Sequence, residues 1–301
     1  MRYAVRHVTT YTYDEPVTDS LGVAHLVPRS LPWQRVSSYD VTVTPTPGDR
    51  SDDVDYHGNH VAYFQVTEPH RTLEVAGAGE VDVVARPVPD AALATPWEVL
   101  RPVLAPATPG AWAATDLALP SALVDHPRGA AEYAAPSLTP GRPVGEAVTD
   151  LMHRVHADFV YDKTATTVTS KVVDTLERRA GVCQDFAHLM LACLRTHGLA
   201  ARYVSGYLAT QPPPGKERVV GADASHAWVE VWLGVHDGAD TWLALDPTND
   251  QAVADRHVTV AWGRDYGDVP PLKGVIFTEA RSSSMRVSVD VAPLPPTDPA
   301  S

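Results

Sequence analysis

The chain has 301 residues, 44% hydrophobic and 20% charged, with 37 acidic against 24 basic side chains and a formal net charge of -13. That apolar mass is enough for two globular domains or one large one, and it excludes a disordered chain. An acidic balance without a Lys/Arg-rich run argues against nucleic acid or an anionic membrane surface as partner, and solubility is its plainest reading.

The opening MRYAVRHVTTYTYDEP alternates polar and apolar residues. It lacks the apolar core of roughly 7–15 residues that a secretory leader needs. No window approaches the roughly 20 apolar residues of a membrane helix. The two cysteines, Cys183 and Cys193, cannot build a disulfide framework. On one helix they would stand ~15 Å apart, beyond the ~7 Å limit for a bridge. The expected address is the cytoplasm.

Residues 1–88 read as β structure. Tyr3, Val5, His7, Thr9, Tyr11 and Tyr13 alternate with their neighbours, as do Tyr39, Val41 and Val43; Val61–Val66, Leu73–Val75 and Val81–Val84 follow. The turn signals TPTPGD, YHGNH and GAGE separate them, which predicts a small antiparallel β-sandwich domain. Asp55, His57 and His60 cluster around Gly58; a hairpin turn explains that cluster as well as a metal would. Residues 89–143 are rich in Ala and Pro, too often broken by proline for a long helix. They read as a connector with short helical pieces near 96–100 and 130–133, packed along a domain through Trp97 and Trp112.

Residues 144–292 read as an α+β core. Val144, Val148, Leu151, Met152 and Val155 recur at helical spacing. A short helix is expected over 172–179, closed by Gly181. A second begins near Cys183, carries Phe186, Met190, Cys193 and Leu194 on one stripe, and stops at Gly198. Apolar strands follow at 201–208, 226–233 and 241–246, the last two joined by the hairpin GVHDGAD, with further strands at 258–261 and 287–291. The Pro/Gly loop 211–225 is expected to overhang the site, and 293–301 to be a frayed tail.

Three residues carry the chemistry. Cys183 follows Gly181 and opens a helix, a position whose positive field favours a thiolate; Cys193, mid-helix on the apolar stripe, reads as core packing. His226 opens the strand HAWVEVWL. Counting inward from the hairpin loop sets Trp228 opposite Asp246, so Asp246 lies diagonal to His226 on one face, ~7–8 Å between backbones. A carboxylate accepting from one imidazole nitrogen leaves the other to take the thiol proton. Asp185, in the first turn, reads as a cap for free N–H groups, or as a cleft residue. Trp228 reads as a wall of the cleft or as core.

GVCQDFAHLMLACLRTHGLAARYVSGY, then HAWVEVW, then DPTN, resembles the bacterial branch of the transglutaminase-like superfamily. The first 90 or so residues, with H-x-T-x-Y-x-Y and Y-x-x-G-N, are similar to that branch's β-rich N-terminal domain. The resemblance implies a papain-like (transglutaminase-like) core whose Cys, His and Asp map onto Cys183, His226 and Asp246. It leaves the acceptor open. Water would make a cysteine protease or amidase acting on peptide or isopeptide bonds, and an amine would make a transglutaminase. A fold kept for binding alone, or a carbohydrate-binding β domain, are the other classes. Hydrolysis is favoured, because nothing in the sequence marks a site for a lysine acceptor. The Cys183 N–H is the first oxyanion donor expected. No Trp occurs between Trp112 and Cys183, so the upstream Trp donor of the animal enzymes is missing, and Tyr161 or Gln184 are the substitutes. No cofactor and no metal are expected: there is no HExxH and no CxxC. Asp237, Asp240 and Asp250, the acidic residues that could hold calcium, read as solvated turns.

Overall fold

The computed structural model describes residues 1–104, 110–210 and 225–295. The N-terminal domain is built on one long strand, β1 (Arg2–Ala24), with β2 (Gln34–Thr44), β3 (Asp49–Val54), β4 (His60–Val66) and β5 (His70–Val83). All pairings are antiparallel, in the order β2-β5-β1-β4-β3. The register of β1 breaks between Thr12 and Val17, so its first half pairs with β5 and its second with β4. The two halves close on one apolar cluster: Val41, Val43, Leu73 and Val75 from one side, Ala62, Phe64 and Val66 from the other. Alternation along each strand is what fills that interior while leaving polar residues outside.

Residues 89–143 are an integral part of the core rather than a connector lying along it. They form α1 (Asp90–Leu93), two 3₁₀ turns, α2 (Ala111–Asp116) and α3 (Arg128–Ala134). Trp97, Val124, Ala130, Ala134 and Leu138 are buried in the main cluster. Trp112 does not pack as expected and is 82% exposed.

The core continues with α4 (Val144–Asp158), β6 (Val160–Tyr161), α5 (Val172–Arg178), β7 (Ala180–Gly181) and α6 (Cys183–Thr196). It then forms a second antiparallel sheet from β8 (Ala201–Leu208), β9 (Ser225–His236), β10 (Ala239–Asp246), β11 (Gln251–Ala252) and β12 (His257–Gly263), ordered β11-β10-β9-β8-β12. Helix α6 is buried on every side from Gln184 to Arg195, more than its apolar stripe predicts. The sequence period understates this because the polar residues find partners inside: Arg195, for example, donates to the Ala201 and Arg264 carbonyls at 2.8 and 2.6 Å. Helix α5 ends at Arg179 in the left-handed region (φ 54°), not at Gly181. Gly181 is needed for another reason: a Cβ there would lie 2.7 Å from Asp185.

The chain ends by returning to the first domain. β13 (Leu272–Thr278) pairs with the second half of β1, and β14 (Ser283–Leu294) with its first half, Arg2 opposite Leu294. The core therefore stops near Gly263, not at residue 292, and Pro293 and Leu294 belong to a strand rather than to a tail. Residues 296–301 and the loop expected to overhang the site, up to residue 224, lie outside the described residues.

Two side chains clamp the domains together. Gln34 donates to the Thr259 carbonyl (2.7 Å) and accepts from the Thr259 N–H (2.8 Å). Asn59 does the same with Trp262, at 2.8 and 2.9 Å. Asp55 organises that turn by accepting the N–H groups of His57 and Asn59. His57 contacts Asp268, and His60 is exposed. The Asp55–His60 cluster is thus a turn that presents Asn59 to the second domain.

Candidate active site

Cys183 is the first residue of α6 and is partly exposed. The carboxylate of Asp185, three residues past the start of the turn, accepts the Val182 N–H at 2.7 Å and the Thr166 hydroxyl at 2.6 Å. Burial raises this carboxyl above the usual range, against the pull of both bonds. Asp185 therefore caps the helix that carries Cys183, and it is too buried to face a cleft. Gln184 donates to the Val168 carbonyl at 3.0 Å, which pins the preceding loop. Tyr161 is 49% exposed and stands edge-on to Phe186; burial first, and then the nearby Cys183, raise its hydroxyl above the ordinary value.

β9 supplies His226 and β10 supplies Asp246. Their hairpin turns through Asp237 and Gly238, both at positive φ, the pair of conformations a two-residue turn of this type requires. A bulge between Asp240 and Trp242 is followed by regular pairing, with Leu245 opposite Val229. One more step sets Asp246 opposite Trp228, as the count from the loop predicts. Trp228 is 0% exposed and so lies behind the site instead of walling a cleft. Its indole crosses Gly206, where a Cβ would come within 2.4 Å of the ring. Trp232 belongs to a different cluster, with Ala111 and Ala114.

Asp246 is fully buried, yet five donors converge on it. Oδ1 accepts the N–H groups of Thr248 (3.0 Å) and Asn249 (3.2 Å). Oδ2 accepts from His226 Nε2 (2.8 Å), Asn249 Nδ2 (2.8 Å) and His257 Nε2 (3.2 Å). Burial alone would raise this carboxyl, but the hydrogen bonds from His226 and His257 and the imidazolium charge hold it far below the usual range. His226 shows the same contest from the other side. Burial disfavours its charge, but the bonds to Asp246 and to the Cys183 thiol raise it to about 10. With Nε2 taken by Asp246, Nδ1 is the nitrogen left for sulfur.

The structure thus brings Cys183, His226 and Asp246 together, with Tyr161 beside them. Asn249 and His257 join them without having been singled out from the sequence. Asn249 was visible in the DPTN motif; His257 repeats the pattern of His226, a histidine heading an apolar strand. Donor atoms of His226, Asp246 and His257 lie within 4.8 Å of one another. Their geometry is that of two N–H groups converging on one carboxylate oxygen. Asp237, Asp240 and Asp250 do not converge: Asp240 accepts from Trp232 and Asp250 pairs with His153.

A thiol at the start of a buried helix, facing a histidine on an antiparallel sheet, defines a papain-like α+β class of core preceded by an antiparallel β domain. Residues 3–82 match the bacterial transglutaminase-like N-terminal region, and residues 131–247 match the transglutaminase-like superfamily. An uncharacterized protein of Mycobacterium tuberculosis is 48% identical over 295 residues, covering 97% of this chain and 93% of its own. A protein-glutamine gamma-glutamyltransferase of Pseudomonas aeruginosa is 36% identical over 96 residues, 31% of this chain and 14% of its own. The crystal structure of a Cytophaga hutchinsonii protein, named as a candidate cysteine protease, superposes with a TM-score of 0.69 at 19% identity, over 96% of this chain and 90% of that one. The chain belongs to the transglutaminase-like superfamily.

Proposed function

We propose that the protein is a thiol-dependent hydrolase of peptide or isopeptide amide bonds, with Cys183 as nucleophile, His226 as acid and base, and Asp246 as the group that orients His226. The observation that carries this reading is the buried Asp246 carboxylate bonded to His226 Nε2 at 2.8 Å, with the thiol on the imidazole's other side. In that arrangement the proton of Cys183 rests on His226 Nδ1 and the sulfur is ready to attack. Attack on the amide carbonyl forms the C–S bond and pushes the electron pair onto oxygen. Collapse expels the amine, which takes the proton from His226, and a thioester remains. Water, losing its proton to His226, then releases the acid and restores the thiol.

The oxyanion would be met first by the Cys183 N–H, one of the free donors at a helix start. Tyr161 is the better second donor, because Gln184 already donates to Val168. The gamma-glutamyltransferase match favours a second reading, in which a primary amine replaces water.

Wild type and Cys183→Ala, incubated with α-peptide and γ-glutamyl libraries with and without a primary amine, separate these readings by mass spectrometry of the products. Hydrolysed product from wild type alone supports the hydrolase. Amine incorporation exceeding hydrolysis moves the assignment to a transglutaminase. Identical behaviour of the two proteins on every substrate removes the catalytic reading.

A further inference from the structure

Asp246 is served by a second histidine that the reaction above does not use. His257 opens β12, is 3% exposed, and lies beyond residue 247, where the superfamily match ends. Its Nε2 is 3.2 Å from Asp246 Oδ2, and its Nδ1 accepts the Ala254 N–H at 3.3 Å. An imidazole that accepts at Nδ1 carries its proton on Nε2. His257 is therefore a neutral donor aimed at the carboxylate. The same turn is closed by the His257 N–H on the Ala254 carbonyl at 3.1 Å, so ring and backbone are fixed together. A second proton, on Nδ1, would point straight at the Ala254 N–H.

The surroundings support the neutral form. Trp228 stands edge-on to His257 with centroids 5.3 Å apart. The charged groups that face His257 are Asp246 on β10 and, beyond it, His226 on β9. Across a cavity of about 100 Å³ also stand Arg86 and Glu230. Glu230 is already bonded by Arg202 at 2.7 Å, so the cavity holds no spare negative charge for a second imidazolium.

We propose that His257 is a positioning residue: its Nε2–H holds the Asp246 carboxylate ionised and turned toward His226, and through it keeps the thiol–imidazole pair charged. Asn249 supplies a parallel bond from the turn, but a surface turn can move, whereas a strand in the sheet holds its donor in place. This inference rests on the reading of Cys183, His226 and Asp246 given above.

The test follows alkylation of Cys183 by iodoacetamide, which needs no substrate, in a Cys193→Ala background. His257→Leu removes the donor; His257→Gln keeps an N–H in nearly the same place. His257→Leu is expected to slow alkylation at neutral pH by about tenfold, the equivalent of one unit of proton affinity, while His257→Gln stays near wild type. If wild-type Cys183 reacts no faster than a free thiol, the catalytic reading fails. If wild type reacts fast and His257→Leu matches it, the role of His257 fails and the catalytic reading stands. Equal slowing by Leu and Gln would mean packing rather than donation, and also overturns the proposal. Should His257→Leu not fold, ¹⁵N spectra of imidazole-labelled wild type, assigned with His257→Gln, decide instead. At about pH 8, where an ordinary imidazole is neutral, His257 is expected to carry its proton on Nε2, and an Nδ1-protonated ring overturns the proposal.

Discussion

The molecule holds two buried polar networks within a few strands of each other, and they are built on opposite principles. At the seam between the domains, Gln34 and Asn59 each give one donor and one acceptor to a strand backbone, and His7 sits between Tyr207 and Thr9 at 3.0 Å from each. The side chains that join the domains there are neutral, although Arg29 and Asp55 steady Asn59 from its own side. At the site, one carboxylate collects five donors, among them an imidazolium. Burial lowers His7 to about 4, whereas His226, as deeply buried, is raised to about 10. Depth is therefore not what sets the sign. Burial penalises charge in both places, and at His226 the bonds to Asp246 first and to Cys183 second reverse the outcome. A neutral network fixes position; a charged one also fixes a proton.

Asp246→Asn should break the comparison most severely, because it converts the site into a second seam. The amide still fits but cannot hold an imidazolium, and burial then pushes His226 down as it does His7. Activity measured as kcat/KM on the substrate found above is expected to fall by roughly 10³–10⁴, the scale of losing the orienting carboxylate in comparable triads. Retention of a tenth of the activity would mean that His226 does not depend on this charge.

Asn59→Ala attacks the other network. It leaves the Trp262 N–H and carbonyl without their partner inside the protein, at about 1–3 kcal/mol for each such group. The urea midpoint should drop accordingly, with activity per folded molecule unchanged. An activity loss without a stability loss would show that the seam tunes the site.

The pH dependence of stability sharpens the contrast. His7 is neutral when folded and its affinity for a proton is depressed, so its contribution is complete above its ordinary value of 6.5 and disappears as the pH falls through about 4. The amount is up to roughly 3 kcal/mol. His226 works in reverse: its contribution is complete below 6.5 and is lost as the pH rises through about 10. Melting temperatures from pH 4 to 10 should therefore lose their acid limb in His7→Phe and their alkaline limb in His226→Phe. A swap of the two limbs would invert the assignment of charge.

How much of this was legible in the sequence depended on how local each signal is. Gly181 before Cys183, the apolar strand after His226 and Pro247 after Asp246 are neighbours in the chain. Counting inward from the loop GVHDGAD reaches the register found at Asp246, although the turn itself is the tighter Asp237–Gly238 and a bulge follows it. The pairing of Arg2 with Leu294 has no local mark. Alternation announces that 287–291 is a strand but not which strand it joins, so the sequence alone extends the core to residue 292 although this strand pairs with β1. The burial of α6 on all faces is hidden for a related reason: a helical period reports apolar residues, and Asp185 and Arg195 are buried through polar partners outside the helix, Thr166 and Arg264 among them. Asn59 reads as a turn residue in YHGNH because its partner, Trp262, lies 203 positions on. His257 could not be told from the other twelve histidines until the sheet put it beside Asp246.

The smallest effect separates the two thiols of α6. Cys193 lies ten residues past Cys183 on the same helix but is fully buried, and burial pushes its thiol up to about 12. Its surroundings are those of the seam, without a charged partner at bonding distance, while Cys183 faces His226. Native protein treated with iodoacetamide at about pH 8 should take label at Cys183 alone, since an un-ionised buried thiol is a poor nucleophile. Cys193→Ala should lower stability by about 1 kcal/mol through a lost sulfur contact and leave the labelling of Cys183 unchanged. Labelling of Cys193 at a comparable rate would mean that α6 opens locally in the folded protein. The site would then stand on a mobile helix, and its charged network would have to be explained by the sheet alone.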